Sequence, residues 1–383
     1  PTRFALATGR YQYRLRGAAE EPLAGAAKGN PILGLPPAHP TLPSLLRKAG
    51  YATALIGKWH LGFAPHFGPL KSGYDYFFGP FAGGVDYFSH CSRGGVHDLW
   101  ENESEVHEKG YLTDLLSARA ERFVRESVTA DKPFMLSLHY TAPHWPWETR
   151  DDEEESKRID GAIAHIDGGS IHTYRRMIHH MDEGIGRIIA ALRDTGVERD
   201  TLIVFTSDNG GERFSDNWPF VGNKMDLMEG GIRVPLIARW PARIAAGSRT
   251  GTSAITMDWV ATMFEAANVA PHPDYPLDGV SLLPLFLDNS WQPARNLYWR
   301  MYHRKQRALL EGRWKYLRVD GHDYLFNLDH DERERANQAT REPSRLTAMR
   351  AEWEAWATTM PGIPDDARVS LVFGEAQMPR GSY

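Results

Sequence analysis

The sequence predicts an α/β protein: a largely parallel mixed sheet sandwiched by helices, followed by a smaller C-terminal domain containing an antiparallel sheet and a helix. Three observations carry this prediction. Strand-like and helix-like apolar runs alternate along residues 1–290. The runs that read as strands are short and apolar enough to be covered on both faces, as parallel sheets are. From about residue 291 the pattern changes to short strands around Gly312 and Gly321, then a charged helix. The division is therefore placed at 1–290 and 291–383.

The elements follow in order. TLPSLLRKAG (41–50) reads as a helix, with Thr41 as N-cap and Gly50 as its stop. YATALIG (51–57) follows as a buried strand. GYLTDLLSARAERFVRES (110–127) is helical through Leu112, Leu115, Leu116, Ala120 and Phe123, and PFMLSLHY (133–140) is the next strand. The run 173–196 has the clearest helical period, through Met177, Met181, Ile185, Ile188 and Leu192, and Gly196 ends it. TLIVFTS (201–207) and GIRVPLIARW (231–240) read as strands, and MDWVATMFEAANV (257–269) as a helix. RALLEGRWKYLRV and DYLFNL read as short antiparallel strands. The acidic run DDEEES (151–156) breaks the pattern and reads as a solvated surface insertion.

A chain of 383 residues can bury a substantial core. The formal charge of -5 offers no basic field for nucleic acid, and no apolar run reaches a membrane-spanning length. The single cysteine, Cys91, excludes an internal disulfide and leaves the compartment open. No feature of the sequence reads out an oligomeric state.

Three predicted strands end in polar clusters. Lys58-Trp59-His60 follows the first, Thr141-Ala142-Pro143-His144 the second, and Asp208-Asn209 the third. Ligands of open α/β sheets bind beyond the carboxyl ends of the strands, so the three clusters are expected to face one crevice. Asp208 and Asn209 offer hard oxygen donors suited to calcium or magnesium rather than zinc. Taken alone, SDNGG also reads as a simple strand-to-turn transition. Lys58, Lys224 and Arg3 suit a tetrahedral anion, and His60 and His144 suit proton transfer near neutral pH.

These residues resemble the type I sulfatases of the alkaline phosphatase superfamily. GYATALIGKWHLG (50–62) is similar to the second signature of that family, position for position. PTRFALATGR resembles the tail of the first signature, with Pro1, Arg3, Thr8, Gly9 and Arg10 at its fixed positions. TSDNGG, GNKMDLMEGGIRVP and the stretch from LYWR to LFNLDHDERERAN are also similar to sulfatase segments. The resemblance implies a sulfuric ester hydrolase acting on aryl or carbohydrate sulfates. It implies a formylglycine nucleophile, made from a Cys or Ser, and a divalent metal, usually calcium. By matched position, Arg3 holds the nucleophile, Lys58, His144 and Lys224 bind sulfate, His60 helps expel it, and Asp208 and Asn209 ligate the metal.

Two elements of the family pattern are not in the sequence. The nucleophile is expected two positions before Pro1, and a paired aspartate motif on a strand further upstream. Cys91 is no substitute, because Arg93 stands where the signature requires proline. The chain is therefore expected to be a portion of a longer polypeptide, catalytically inactive by itself and lacking a central strand. Sheet edges and apolar surface are then expected to be exposed. A periplasmic or secreted location is expected if the upstream part carries a signal peptide.

Two alternatives stand beside the sulfatase reading. One is a phosphonate or phosphodiester hydrolase of the same superfamily, against which Asn209 argues because those relatives tend to carry His there. The other is a non-catalytic binder of sulfated glycans. For substrate contacts, Trp145 and Trp147 are read either as stacking faces for a sugar or aryl ring or as core. The insertion 148–171 is expected to shape the rim.

Overall fold

The computed structural model describes residues 2–371. Pro1 and residues 372–383, which include the end of the predicted second domain, lie outside the described residues. In chain order, the first elements are α1 (Thr2–Thr8), α2 (Leu42–Lys48), β1 (Ala52–Gly57) and β2 (Tyr76–Gly79). A short hairpin follows, β3 (Cys91–Ser92) and β4 (Val96–His97), then β5 (Trp100–Glu101) and β6 (Ser104–Glu105). The middle of the chain holds α3 (Leu112–Thr129), β7 (Phe134–His139), α4 (Glu153–Ile159), α5 (Ile171–Asp194) and β8 (Ile203–Thr206). Next come α6 (Glu229–Ile232), β9 (Leu236–Arg239), α7 (Asp258–Ala266) and α8 (Leu283–Leu287). The C-terminal part comprises β10 (Leu297–Arg300), β11 (Arg307–Glu311), β12 (Trp314–Val319), β13 (His322–Asn327) and α9 (Pro343–Thr358).

The predicted fold class is what the structure shows. The central sheet runs β6-β5-β2-β1-β7, with β2, β1 and β7 mutually parallel and β5 and β6 antiparallel at one edge. Alternation along β7 distributes its side chains to two layers of helices. Phe134 and Leu136 pack with Val124 of α3 and Ala191 and Leu192 of α5. Met135, on the opposite face, joins Leu42 and Leu46 of α2 and Val260 and Phe264 of α7. Helix α2 begins where Thr41 and Ser44 form a reciprocal capping box, as the Thr41 N-cap predicts. The period of α5 buries Met177, Gly184 and Ala191. A Cβ at Gly184 would sit 2.2 Å from Ser117 Oγ, so glycine is what lets α5 close onto α3.

The second unit is a meander, β10-β11-β12-β13, every pair antiparallel. Helix α9 covers one face through Met349 and Trp353, against Leu309, Tyr316 and Leu325. The opposite face, with Ala308, Leu317 and Phe326, packs on Leu227. No helix among the described residues is long and apolar enough to cross a membrane.

Two elements depart from the expectations, and a third departs in part. The run 201–207 does not join the parallel sheet; β8 pairs antiparallel with β9 in a sheet of its own. Phe205, Leu236 and Ile237 of that pair are exposed. The predicted strand 231–240 is extended only over Leu236–Arg239, because its beginning turns as α6. A Cβ at Gly231 would meet the Asp226 carbonyl oxygen at 2.1 Å, so this turn packs backbone to backbone and cannot lie in a sheet. The acidic run is exposed at Asp151, Glu153 and Glu154, as a solvated segment is, but it leads into α4, which also has a buried face. Glu153 and Glu154 face solvent, while Ser156 and Ile159 are buried and Glu155 Oε1 bonds His165 Nε2 at 2.6 Å.

Candidate active site

The carboxyl ends of β1, β7 and β8 open onto one cleft of about 1790 Å³, lined among others by Arg3, Lys58, His60, His144, Trp145, Asp208, Asn209 and Lys224. All the predicted site residues are thus brought together. The local backbone explains how. Gly57 ends β1 at φ +110°, and a Cβ there would lie 2.0 Å from the His139 carbonyl oxygen. Only glycine allows this crossing, which turns Lys58 out of the sheet while its N–H donates to that same oxygen at 2.9 Å. His60 itself adopts φ +56°, a costly conformation for a residue with a Cβ and one often found at functional sites.

Charge is concentrated around Asp208. Its carboxylate pairs with the Arg3 guanidinium, and its backbone oxygen accepts from Thr2 Oγ1. Burial pushes the Asp208 carboxyl up, but Arg3, Lys58 and Lys224 outweigh it and hold the group well below the usual carboxylate range. Burial, followed by the Arg3 charge, drives the Lys58 ammonium well below its ordinary value. The cleft therefore gathers the basic side chains of Arg3, Lys58 and Lys224 around the Asp208 carboxylate, with Glu212 beside Lys224.

The histidine tautomers follow from their carbonyl partners. His144 Nδ1 donates to the Trp145 oxygen at 2.8 Å, so Nε2 is left as an acceptor, 3.1 Å from Lys224 Nζ. Burial, then Lys224, keeps His144 neutral by holding its imidazole well below the ordinary value. His60 Nε2 donates to the Leu23 oxygen at 2.7 Å, leaving Nδ1 as its basic atom. Burial, then Lys58, likewise keeps His60 neutral.

The two tryptophans separate. Trp145 lines the cleft, its indole N–H 3.3 Å from Glu212 Oε2 and its ring 6.0 Å from Lys224 Nζ. Trp147 is core, packed on Phe214 and under the Arg213 guanidinium. Ile163, Ala164 and Ile166 of the 148–171 segment do line the cleft.

Three features escaped the sequence reading. His139, the last residue of β7, donates Nδ1–H to the Lys58 oxygen at 3.1 Å. Burial, then Arg3, takes its pKa down to about 3. The strand-end argument that selected His144 applies equally to His139. Glu212 lies 3.5 Å from Lys224 Nζ, a contact across twelve residues of loop that no local pattern signals. Gly83 and Gly84 allow the wall to touch both catalytic candidates: added Cβ atoms would meet His60 at 2.5 Å and Trp145 and His144 at 3.0 and 3.2 Å.

A sulfatase family model matches residues 1–269. The chain belongs to the sulfatase family. It is a type I sulfatase chain of the alkaline phosphatase superfamily, and a second model, the C-terminal region of N-sulphoglucosamine sulphohydrolase, matches residues 220–346. Among curated relatives, N-acetylgalactosamine-6-sulfatase of Canis lupus familiaris is 31% identical over 285 residues, covering 70% of this chain and 52% of the relative. The uncharacterized sulfatase YdeN of Escherichia coli K12 is 28% identical over 326 residues, covering 77% and 56%. The chain thus spans about half the length of the curated relatives it matches. The crystal structure of Ps i-CgsB in complex with k-i-k-neocarrahexaose is similar at a TM-score of 0.83 and 30% identity, over 94% of this chain and 82% of that one.

Asp208 is ionised and Asn209 lines the same cleft, so a carboxylate and an amide oxygen are available at one strand end. Calcium takes six to eight oxygen ligands, and these two residues supply part of such a set.

Proposed function

We propose that this chain carries the sulfate-binding and proton-transfer groups of a hydrolase acting on carbohydrate sulfate esters, with aryl sulfates as simpler substrates. The observation that supports it is the convergence of Arg3, Lys58 and Lys224 on one cleft, where Asp208 pairs with Arg3 and Glu212 lies beside Lys224. A sulfate monoester is a compact anion that suits these basic side chains. Each close opposite-charge pair is worth up to about 4 kcal/mol at an effective dielectric constant near 20.

Within this reading, Asp208 and Asn209 would help hold a divalent ion, calcium or magnesium, which would supply Lewis-acid chemistry to the cleft. A formylglycine, made from an upstream Cys or Ser, supplies the nucleophilic oxygen. The chain's own residues do the rest. Lys58 and Lys224 hold sulfuryl oxygens and stabilise the charge that develops on them. The Lys224 and His144 pair offers the leaving oxygen a proton: Lys224 Nζ donates toward His144 Nε2, and the shared proton is the mobile one. His60 keeps Nδ1 as a proton acceptor, which product release requires. Arg3 orients the nucleophile, and Trp145 offers a ring face to the substrate.

The saccharide preference rests on the relatives, one an N-acetylgalactosamine-6-sulfatase and one a complex with a neocarrahexaose. The test is a comparison of turnover on sulfated saccharides, 4-nitrophenyl sulfate and phosphodiesters by the mature enzyme. Release of inorganic sulfate at the higher kcat/KM is expected; dominant phosphodiesterase activity would overturn the reading.

A further inference from the structure

Away from the cleft, His97, Glu105 and His107 form a cluster whose ligand atoms all lie within 4.8 Å of one another. His97 Nδ1 is 2.8 Å from Glu105 Oε1, and the two imidazoles stack with centroids 4.2 Å apart and planes at 30°. Two imidazoles and one carboxylate are a donor set suited to zinc, unlike the all-oxygen donors of Asp208 and Asn209. Tetrahedral zinc with bonds of about 2.0 Å places its ligand atoms roughly 3.3 Å apart, a spacing within the 4.8 Å that these three span.

The backbone beneath the cluster is held in place. Val106 N–H donates to the Leu99 oxygen at 2.9 Å, which pins the segment just after His97 to the residue between Glu105 and His107. Asp98, beside His97, is buried and accepts from the N–H groups of Phe81 and Ala82 and from the Trp100 indole. A site whose supporting backbone is already ordered loses little entropy on binding.

We propose that His97, Glu105 and His107 bind one zinc ion, with water completing the coordination. The ion ties the β3–β4 hairpin to β6 at the edge of the central sheet. The hairpin matters because Ser92, Arg93 and Val96 line the catalytic cleft. Its tip, Gly94 and Gly95, has both residues at positive φ. The zinc thus braces one rim of the cleft from outside.

The probe is zinc chloride, titrated calorimetrically into calcium-saturated protein so that the Asp208–Asn209 donors are not in competition. One zinc per chain at micromolar affinity or tighter is expected. His107→Ala and Glu105→Gln are each expected to weaken it at least about tenfold. Both positions are exposed, so circular dichroism and the zinc-free melting temperature are expected to match the parent. Absence of stoichiometric zinc in the parent, or unchanged affinity in both variants, would overturn the proposal.

Discussion

At His144 the proton inventory follows from two contacts. The Trp145 oxygen can only accept, so Nδ1 carries the ring proton and Nε2 faces the Lys224 ammonium. The pair can then give up one proton to a departing oxygen, which matters in proportion to the basicity of that oxygen. His144→Ala is expected to cut pre-steady-state turnover of alkyl sulfates by about 100-fold or more, and that of activated aryl sulfates far less. Equal losses on both would remove the acid role from this pair. At this scale the sequence was informative where a polar residue follows an apolar strand, which is how Lys58, His60, His144, Asp208 and Asn209 were found. His139 obeys the same rule and was passed over in favour of the motif beyond it. Glu212 was illegible because its position depends on how a loop folds back over Trp145.

The segment after β7 is anchored by a second device. Glu148 is fully buried, takes the Tyr87 N–H at 3.0 Å and lies close to the Asp86 carboxyl. Burial, reinforced by the Asp86 charge, raises its pKa to about 9. A carboxyl with a raised folded pKa contributes stability that is complete below the unfolded value near 4.5 and is lost as pH rises through about 9. Glu148→Gln keeps a donor toward Asp86 and an acceptor for Tyr87 but has no proton to lose. Melting temperatures from pH 5 to pH 9 are expected to fall in the parent and stay flatter in the variant; parallel curves would contradict the assignment. The segment that carries Lys224 is held differently, from the C-terminal unit. Gln306 Oε1 takes the Leu227 N–H at 2.8 Å, and its amide donates to the Met225 oxygen at 2.9 Å. The buried Lys315 ammonium bridges Glu229 at 2.9 Å and Glu334 at 2.8 Å. Helices with a clean 3.6 period were read to within a few residues, since one apolar stripe dictates each. The run 231–240 was misread because its apolar residues serve two purposes, a tight turn packed on backbone and a four-residue strand.

Across the whole molecule, β1 and β7 of the central sheet and β8 of the separate β8–β9 pair bring their ends to one cleft, two helical layers cover the central sheet, and the antiparallel unit closes over the Lys224 segment. Alternating apolar runs made the layered class readable, because each strand must be covered on both faces. Pairing partners were not readable: β8 joining β9 rather than β7 is decided by long-range register, which no local run encodes. Phe205, Leu236 and Ile237 of that pair stand exposed. The central claim is that Arg3 of α1, Lys58 after β1 and Lys224 of the loop after β8 serve attack at sulfur. Hydrolysis of a sulfated saccharide by the mature enzyme in water enriched in oxygen-18, carried through many turnovers, tests it directly. One solvent oxygen is predicted in the released sulfate and none in the sugar hydroxyl. Label in the sugar hydroxyl, or no release of sulfate, would contradict the account.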